Sequence, residues 1–176
     1  MKDKQIQRLV VAALLAALTC VATMVIRIPV PGTSGYVHPG DAMVILCGVI
    51  LGPQMGLLAA GIGSALADLL GGYFIYVPIT FIVKGLVGLL SGLACVYLSG
   101  RKVKPLVIVI IGGIIDMIIV AIGYFIPEIF LYGMGAAAMS ILPNLMQGAS
   151  GLILATVLYV PLAQVLKGEL TKFRTI

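Results

Sequence analysis

The sequence predicts an all-α integral membrane protein, a compact bundle of six transmembrane helices in a single domain spanning residues 1–176. Hydrophobic residues make up 61% of the chain and charged residues only 10%, and the mean hydropathy is +1.22. A soluble domain is about 45 to 50% apolar, with roughly a quarter of its residues charged. Because so few charges cannot cover a water-facing surface, most side chains must contact lipid or one another. This composition argues against soluble enzymes, nucleic-acid binders and secreted disulfide scaffolds.

Apolar stretches separated by short turns that contain Gly or Pro predict the six helices. The first stretch follows a charged start and could be a cleaved signal peptide. Its uncharged run from Leu9 to Ile26 is 18 residues long, about the length of a membrane span, so we interpret it as a retained helix. The predicted ranges are about 9–28, 40–51, 54–70, 77–99, 105–126 and 139–166.

The second and third helices are the least certain, because Gly52-Pro53-Gln54 interrupts the apolar region 41–70. This region could form one long span, two short spans or a re-entrant hairpin. Basic residues collect in cytoplasmic loops, and here they form three clusters: Lys2/Lys4/Arg8, Arg101/Lys102/Lys104 and Lys167/Lys172/Arg174. All three clusters lie on one side if the region crosses twice, and a re-entrant hairpin gives the same result. We therefore predict that both termini are cytoplasmic, and that the net charge of +5 reflects membrane topology rather than nucleic-acid binding.

The opposite, outer face is predicted to carry three loops, 29–40, 71–76 and 127–138. The inner turns are short, so candidate chemistry is concentrated outside. The polar and aromatic residues of these loops are Tyr36, His38, Tyr73, Tyr76, Glu128 and Tyr132.

Three ionisable residues within the predicted helices stand out: Asp68, Lys84 and Asp116. An ionisable group inside a membrane costs about 2.5 to 3.5 kcal/mol on insertion scales, so it usually faces the bundle interior and has a partner. Helical spacing also predicts a small or polar stripe on each of the last three helices. These stripes are Thr80/Lys84/Gly88/Ser91, Gly112/Asp116/Val120/Tyr124 and Ser140/Asn144/Gln147/Gly151.

One hypothesis is a pocket in the outer half of the bundle, where polar groups bond a small polar solute and tyrosines stack on it. The alternative is that Lys84 pairs with Asp116 or Asp68, and that the amides only hold helices together. We interpret Asp41, in an N-cap-like setting after His-Pro-Gly, and Asp68 as structural. The predicted binding residues are Lys84, Asp116, Asn144, Gln147, Tyr124, Tyr36, His38, Tyr76 and Thr80.

No motif for chemistry or for ATP hydrolysis is recognisable. The chain has no G-x-x-x-x-G-K-[ST] loop, no G-x-S-x-G and no H-E-x-x-H. Cys20, Cys47 and Cys95 each lie inside an apolar run without the spacing of metal ligands. We therefore predict a compact binding module that is not an enzyme, has no catalytic residues, metal site or cofactor, and takes its driving energy from another protein.

The run from Tyr36 to Gly92, which begins YVHPGDAMVILCGVILGPQ, and the Ala13-xxx-Ala17 pattern before it resemble the substrate-binding S components of energy-coupling factor (ECF) transporters. The resemblance implies a multi-pass protein of a prokaryotic cell membrane that binds a vitamin or vitamin precursor near the outer face. It also implies a partner in the bilayer, a transmembrane coupling protein with two ATPase subunits, and rotation of the S component in the membrane to deliver its solute.

The same resemblance implies that the alanine motif on the first helix contacts the coupling protein. Ala13 and Ala17 match that motif, and the pair Ala12/Ala16 overlaps it. The likeness is to a branch that binds pyridoxine, hydroxymethylpyrimidine or riboflavin. Pyridoxine or hydroxymethylpyrimidine is the expected solute, followed by riboflavin or another B vitamin. The alternative function is that of a structural or assembly subunit of another membrane complex.

Overall fold

A computed structural model describes the backbone of residues 2–165 and the side chains of residues 5–162. Over this part the chain forms six α-helices and a two-stranded hairpin: α1 (Lys2–Val25), β1 (Ile28–Pro29), β2 (Tyr36–Val37), α2 (Asp41–Leu51), α3 (Pro53–Gly71), α4 (Tyr76–Gly100), α5 (Pro105–Tyr132) and α6 (Met134–Val165). All helices except α2 are long and apolar enough to cross a membrane. The all-helical membrane class is confirmed. Residue 166 and the predicted basic cluster at 167–174 lie outside the described residues.

The short helix α2 forms the centre of the bundle. All 11 of its residues are buried, and it packs against each of the other five helices. A helix that is apolar all round is surrounded by protein rather than by water. At 1.5 Å per residue, α2 is about 16 Å long, roughly half of the 30 Å hydrocarbon core. The region 41–70 is therefore two helices, of which the first is too short to span a bilayer alone.

The turn between α2 and α3 depends on its two residues. Gly52 has a φ of +80°, which favours glycine, and Pro53 occupies the first turn of α3, where a missing backbone N–H is tolerated. Close helix packing then follows from small residues. A Cβ atom added at Gly56 of α3 would collide with Gly48 of α2 and approach the carbonyl of Gly88 of α4. The small residues of α3 therefore pack within the bundle.

The two alanine pairs of α1 face different surroundings. Ala12 is buried and Ala16 half-buried, and a Cβ added at Gly63 of α3 would collide with the Ala16 carbonyl. Ala13 and Ala17 are exposed. The pair that matches the motif is therefore the pair that an external partner can reach.

The predicted loop 127–138 is wrong, because this segment is helical except for Gly133. Helix α5 continues through Pro127 to Tyr132, and α6 begins at Met134 after a turn at Gly133 with a φ of +85°. A proline removes one backbone hydrogen bond. Unwinding the segment in lipid would leave many more unsatisfied, so the helix continues. As a result Glu128 lies one turn after Tyr124 and is buried.

The α1–α2 connection, residues 26–40, contains the antiparallel pair β1–β2, with Ile28 opposite Val37. The end of the bundle that carries this connection is called the hairpin end below. The short α3–α4 connection and the turn at Gly133 lie at the same end.

Candidate functional site

A pocket lies at the hairpin end, beyond the first residue of α2. Because α2 is short, the surrounding helices enclose a space there that no helix fills, and the α1–α2 connection covers it. The space open to the centres of water molecules is about 20 Å³, which is room for one or two waters. The lining residues are Val30, Gly35, Tyr36, His38, Asp68, Tyr76, Thr80, Tyr124, Glu128 and Asn144.

Hydroxyl groups satisfy the two carboxyl groups of the pocket. The Tyr36 hydroxyl donates to Asp68 Oδ1 at 2.7 Å, and the Tyr76 hydroxyl donates to Glu128 Oε1 at 3.0 Å. Ser140 donates to Glu128 Oε2. None of the ten lining residues is a Lys or an Arg. The pocket therefore presents acceptor oxygens without a balancing cation in its wall.

Three neutral residues provide further hydrogen-bonding groups. The Thr80 and Tyr124 hydroxyls lie 3.0 Å apart and bond each other. The Asn144 side chain is buried and lines the pocket. Its amide can therefore donate and accept toward a molecule in the pocket.

His38 contributes a defined donor. Burial lowers the pKa of His38 from 6.5 to about 4, so the ring is neutral at pH 7. Its Nδ1 accepts a hydrogen bond from the Gly40 backbone N–H at 3.1 Å. In a neutral imidazole one nitrogen accepts and the other donates, so Nε2 carries the proton. The backbone N–H of His38 donates to Gln147 Oε1 at 3.0 Å, and this bond links the α1–α2 connection to α6.

Arg27, Tyr36 and Tyr73, called here the aromatic clasp, join the α1–α2 connection to the α3–α4 connection. The Arg27 guanidinium lies 5.3 Å from the Tyr36 ring centre and 5.7 Å from that of Tyr73, and the two rings are 4.5 Å apart. Burial and the hydrogen bond to Asp68 raise the pKa of Tyr36, so its hydroxyl stays protonated and continues to donate. The clasp thereby positions a donor for one of the pocket acids.

Beneath the pocket lies a second group of polar residues, Asp41, Lys84, Asp116 and Gln147, called here the core polar cluster. Lys84 Nζ bonds Asp41 Oδ1 at 2.5 Å with both side chains fully buried, and Gln147 Nε2 donates to Asp41 Oδ2 at 2.8 Å. The alternative pairing of Lys84 with Asp116 or Asp68 is wrong, since its salt-bridge partner is Asp41. The N-cap interpretation of Asp41 is also wrong, because Gly40 occupies the N-cap and no side-chain capping bond forms.

The structure brings six of the nine predicted binding residues to one pocket: Tyr36, His38, Tyr76, Thr80, Tyr124 and Asn144. Lys84 and Asp116 lie beneath it, and Gln147 lines a neighbouring apolar groove between the connection and α6. The involvement of all nine in binding stays a prediction.

Sequence reasoning missed the two pocket acids. Glu128 lies four residues after Tyr124 and so continues the spacing of Asp116, Val120 and Tyr124. Because the predicted helix ends before Pro127, the predicted polar stripe stops short of Glu128. Asp68 is interpreted from the sequence as structural, although it is a buried acid near the hairpin end of its helix.

The sequence comparisons identify related chains. The family model described as ECF-type riboflavin transporter, S component, matches residues 3–164. An uncharacterized protein of Pyrococcus woesei is 35% identical over 134 residues, which cover 76% of this chain and 86% of the relative. The thiamine precursor transporter HmpT of Lactococcus lactis subsp. cremoris (strain MG1363) is 29% identical over 159 residues, covering 90% of this chain and 89% of the transporter.

Two solved structures share the fold. The S component of a bacterial ECF transporter superposes with a TM-score of 0.66 at 25% identity, covering 93% of this chain and 99% of that one. The S component for biotin from an ECF-type ABC transporter has the same TM-score at 19% identity, covering 95% and 94%. The chain therefore belongs to the ECF-type riboflavin transporter S-component family, and it is a membrane-embedded transport subunit for a vitamin or vitamin precursor rather than an enzyme.

Proposed function

We propose that the chain, as a single transmembrane domain over residues 1–176, binds hydroxymethylpyrimidine in the pocket at the hairpin end, with pyridoxine as the second candidate. The observation that carries this proposal is that Asp68 and Glu128 face one pocket whose wall has no Lys or Arg. Both carboxyl groups accept hydrogen bonds in the structure. Free hydroxymethylpyrimidine, the precursor of the pyrimidine ring of thiamine, carries an amino group and a hydroxyl that donate, so its chemistry complements these acids.

The remaining lining residues suit the same ring. His38 Nε2 and the Asn144 amide can donate to ring nitrogens, and the Asn144 oxygen can accept from a hydroxyl. The Tyr76 and Tyr124 ring centres lie 6.2 Å apart and offer aromatic faces or edges to a planar ligand. Lys84, Asp116 and Gln147 support these groups from beneath in this proposal.

Two further considerations favour a single ring over the three-ring flavin that the family name suggests. The cavity is small, so a flavin requires a larger displacement of the surrounding helices than a pyrimidine does. The Lactococcus lactis relative is a thiamine precursor transporter.

A thermal-shift panel tests the substrate. Purified protein in detergent is heated with hydroxymethylpyrimidine, pyridoxine, thiamine, riboflavin or biotin. A ligand that binds only the folded state raises the melting temperature by mass action. We expect hydroxymethylpyrimidine to give the largest shift and biotin none. A larger shift with riboflavin, or no shift with any ligand, would contradict the proposed substrate, and the second result would favour a structural subunit.

We further propose that both termini face the cytoplasm of a prokaryotic cell and that the pocket opens to the outside. Arg8, Arg101 and Lys102 support this orientation, since they lie at the end opposite the hairpin and cytoplasmic ends are basic. Arg8 Nη2 donates to the Leu51 carbonyl at 2.9 Å, which places it beside the α2–α3 turn. Cysteine accessibility in intact cells tests the orientation.

The proposed partner is an ECF module with a transmembrane coupling protein and two ATPases, contacting α1 at Ala13 and Ala17. Their exposed small side chains allow another helix to approach closely. In pull-downs with a coexpressed module, Ala13→Trp and Ala17→Trp should abolish association. Leu18→Trp, at a neighbouring exposed position of α1, is the matched control and should retain it. Equal capture of all three variants would exclude this face.

A further inference from the structure

The core polar cluster contains two acids, Asp41 and Asp116, but only one base, Lys84. Lys84 bonds one oxygen of Asp41, and Gln147 donates to the other. Asp116 is 0% exposed, and neither of its carboxyl oxygens has a hydrogen-bond partner in the part of the chain that the structure describes. Gly112 of α5 packs against Ile45 of α2, where an added Cβ would lie 3.1 Å from the Ile45 side chain. Asp116 and Asp41 each lie one turn from this contact toward the hairpin end, so the two acids are neighbours on facing helices.

The formal charges of this cluster do not cancel if both acids are ionised. The titratable groups that face the Asp41–Asp116 pair are Lys84 from α4, His38 from the α1–α2 connection and Tyr124 from α5. His38 is neutral, and Lys84 supplies a single positive charge for two carboxylates. An uncompensated buried charge costs several kcal/mol. A second positive charge is required at this point of the molecule.

We propose that the Asp41–Asp116 pair is a buried proton-binding site, with one proton carried on Asp116 and shared with Asp41. Two carboxylates can only accept hydrogen bonds, so neighbouring carboxyl groups can bond each other only when one of them carries a proton. That proton also cancels the excess charge. A metal ion explains the site less well, because hard cations take six or more oxygen ligands, and the described residues contain no group of three or more His, Cys, Asp or Glu side chains placed to hold one.

The proton site connects to the pocket through Gln147. Its amide nitrogen bonds Asp41, and its oxygen accepts from the backbone of His38, which lines the pocket. When the proton leaves, the cluster gains a negative charge one side chain away from the pocket wall. This inference concerns the charge state of the cluster and does not depend on which solute binds.

Infrared spectroscopy of the whole protein in detergent at pH 7 tests the proposal. A protonated carboxyl group has a carbonyl stretching band that ionised carboxylates lack, and the band moves in D2O. We expect this band in the wild type and its loss in Asp116→Asn. Asp68→Asn and Glu128→Gln, which change the pocket acids, should retain it. A wild type without the band, or a band that is unchanged in Asp116→Asn, overturns the proposal.

Thermal unfolding gives an independent measurement. Asparagine has the shape of a protonated aspartate and can donate to Asp41 in its place. We therefore expect Asp116→Asn to melt within a few degrees of the wild type, whereas Asp41→Asn, which removes the ionised partner of Lys84, melts well below it. If Asp116→Asn loses as much stability as Asp41→Asn or fails to fold, Asp116 is needed as an anion and the proposal is wrong.

Discussion

The pocket and the core polar cluster each contain two acids, but the acids are satisfied in different ways. In the pocket, Asp68 and Glu128 accept from tyrosine and serine hydroxyls beside a small cavity. In the cluster, Asp41 is bonded to Lys84 and Gln147 with no exposed surface. A hydroxyl can be exchanged for a ligand group at little cost, whereas a buried ion pair cannot be opened without leaving a charge.

This difference predicts a division of roles along the bundle axis. Changes in the cluster should act mainly on stability, and changes in the pocket should act mainly on solute affinity. The four predictions below test that division, beginning with the largest expected effect.

Replacing Lys84 with methionine should have the largest effect on stability. The variant keeps the side-chain length but leaves the buried Asp41 carboxylate without its cation, which costs about 3 to 5 kcal/mol. The free energy of unfolding in detergent measures the loss. The double variant Lys84→Met/Asp41→Asn removes both charges and should recover a large part of it. A single variant as stable as the wild type would show that the pair does not hold the bundle together.

Replacing Asp68 with asparagine should act on affinity instead. Hydrogen bonds to charged groups contribute about 1.5 to 3 kcal/mol, so we expect roughly 10- to 100-fold weaker binding of hydroxymethylpyrimidine with a smaller change in unfolding free energy. Titration calorimetry measures the dissociation constant. Glu128→Gln is the matched variant on the opposite wall. If both variants bind as the wild type does, the pocket acids do not contact the solute.

Much of this division could be predicted from the sequence. Helical spacing predicts inward-facing stripes that contain Thr80, Tyr124 and Asn144, and these three residues line the same pocket. The helical repeat and the position of a residue along its helix determine which side chains face the bundle interior. The hydropathy pattern also located five long helices, since spans need uninterrupted apolar stretches.

The errors have two physical causes. The predicted fifth helix ends at residue 126, just before Pro127, although in lipid the helix continues and brings Glu128 to the pocket. The pairing of Lys84 depended on how deep the start of α2 lies, and no local pattern encodes that depth. Asp41 reaches Lys84 only because α2 is a short central helix.

The burial of His38 in the pocket wall predicts that the stability of the protein depends on pH. The folded-state pKa of His38, about 4, lies below the ordinary 6.5, so the unfolded chain takes up a proton first as the pH falls. Stability is therefore present above pH 6.5 and is lost progressively toward pH 4. The loss is about 1 kcal/mol at a pH of about 5.5. Melting temperatures measured across this range should fall in the wild type and stay flatter in His38→Gln. If the melting temperatures of the wild type and His38→Gln fall equally with pH, another group causes the acid sensitivity.

The smallest expected effect concerns the aromatic clasp and separates positioning from general stability. Arg27→Met removes a cation that faces Tyr36 and Tyr73, while Arg101→Met removes one that lies 4.4 Å from the Tyr97 ring centre at the end opposite the hairpin. Each interaction contributes about 0.5 to 1 kcal/mol, so both variants should lose a similar, small amount of stability. Only Arg27→Met should also weaken solute binding, because Tyr36 then holds Asp68 less firmly. If both variants leave the dissociation constant unchanged, the clasp contributes only to packing, and solute affinity depends only on the residues that line the pocket.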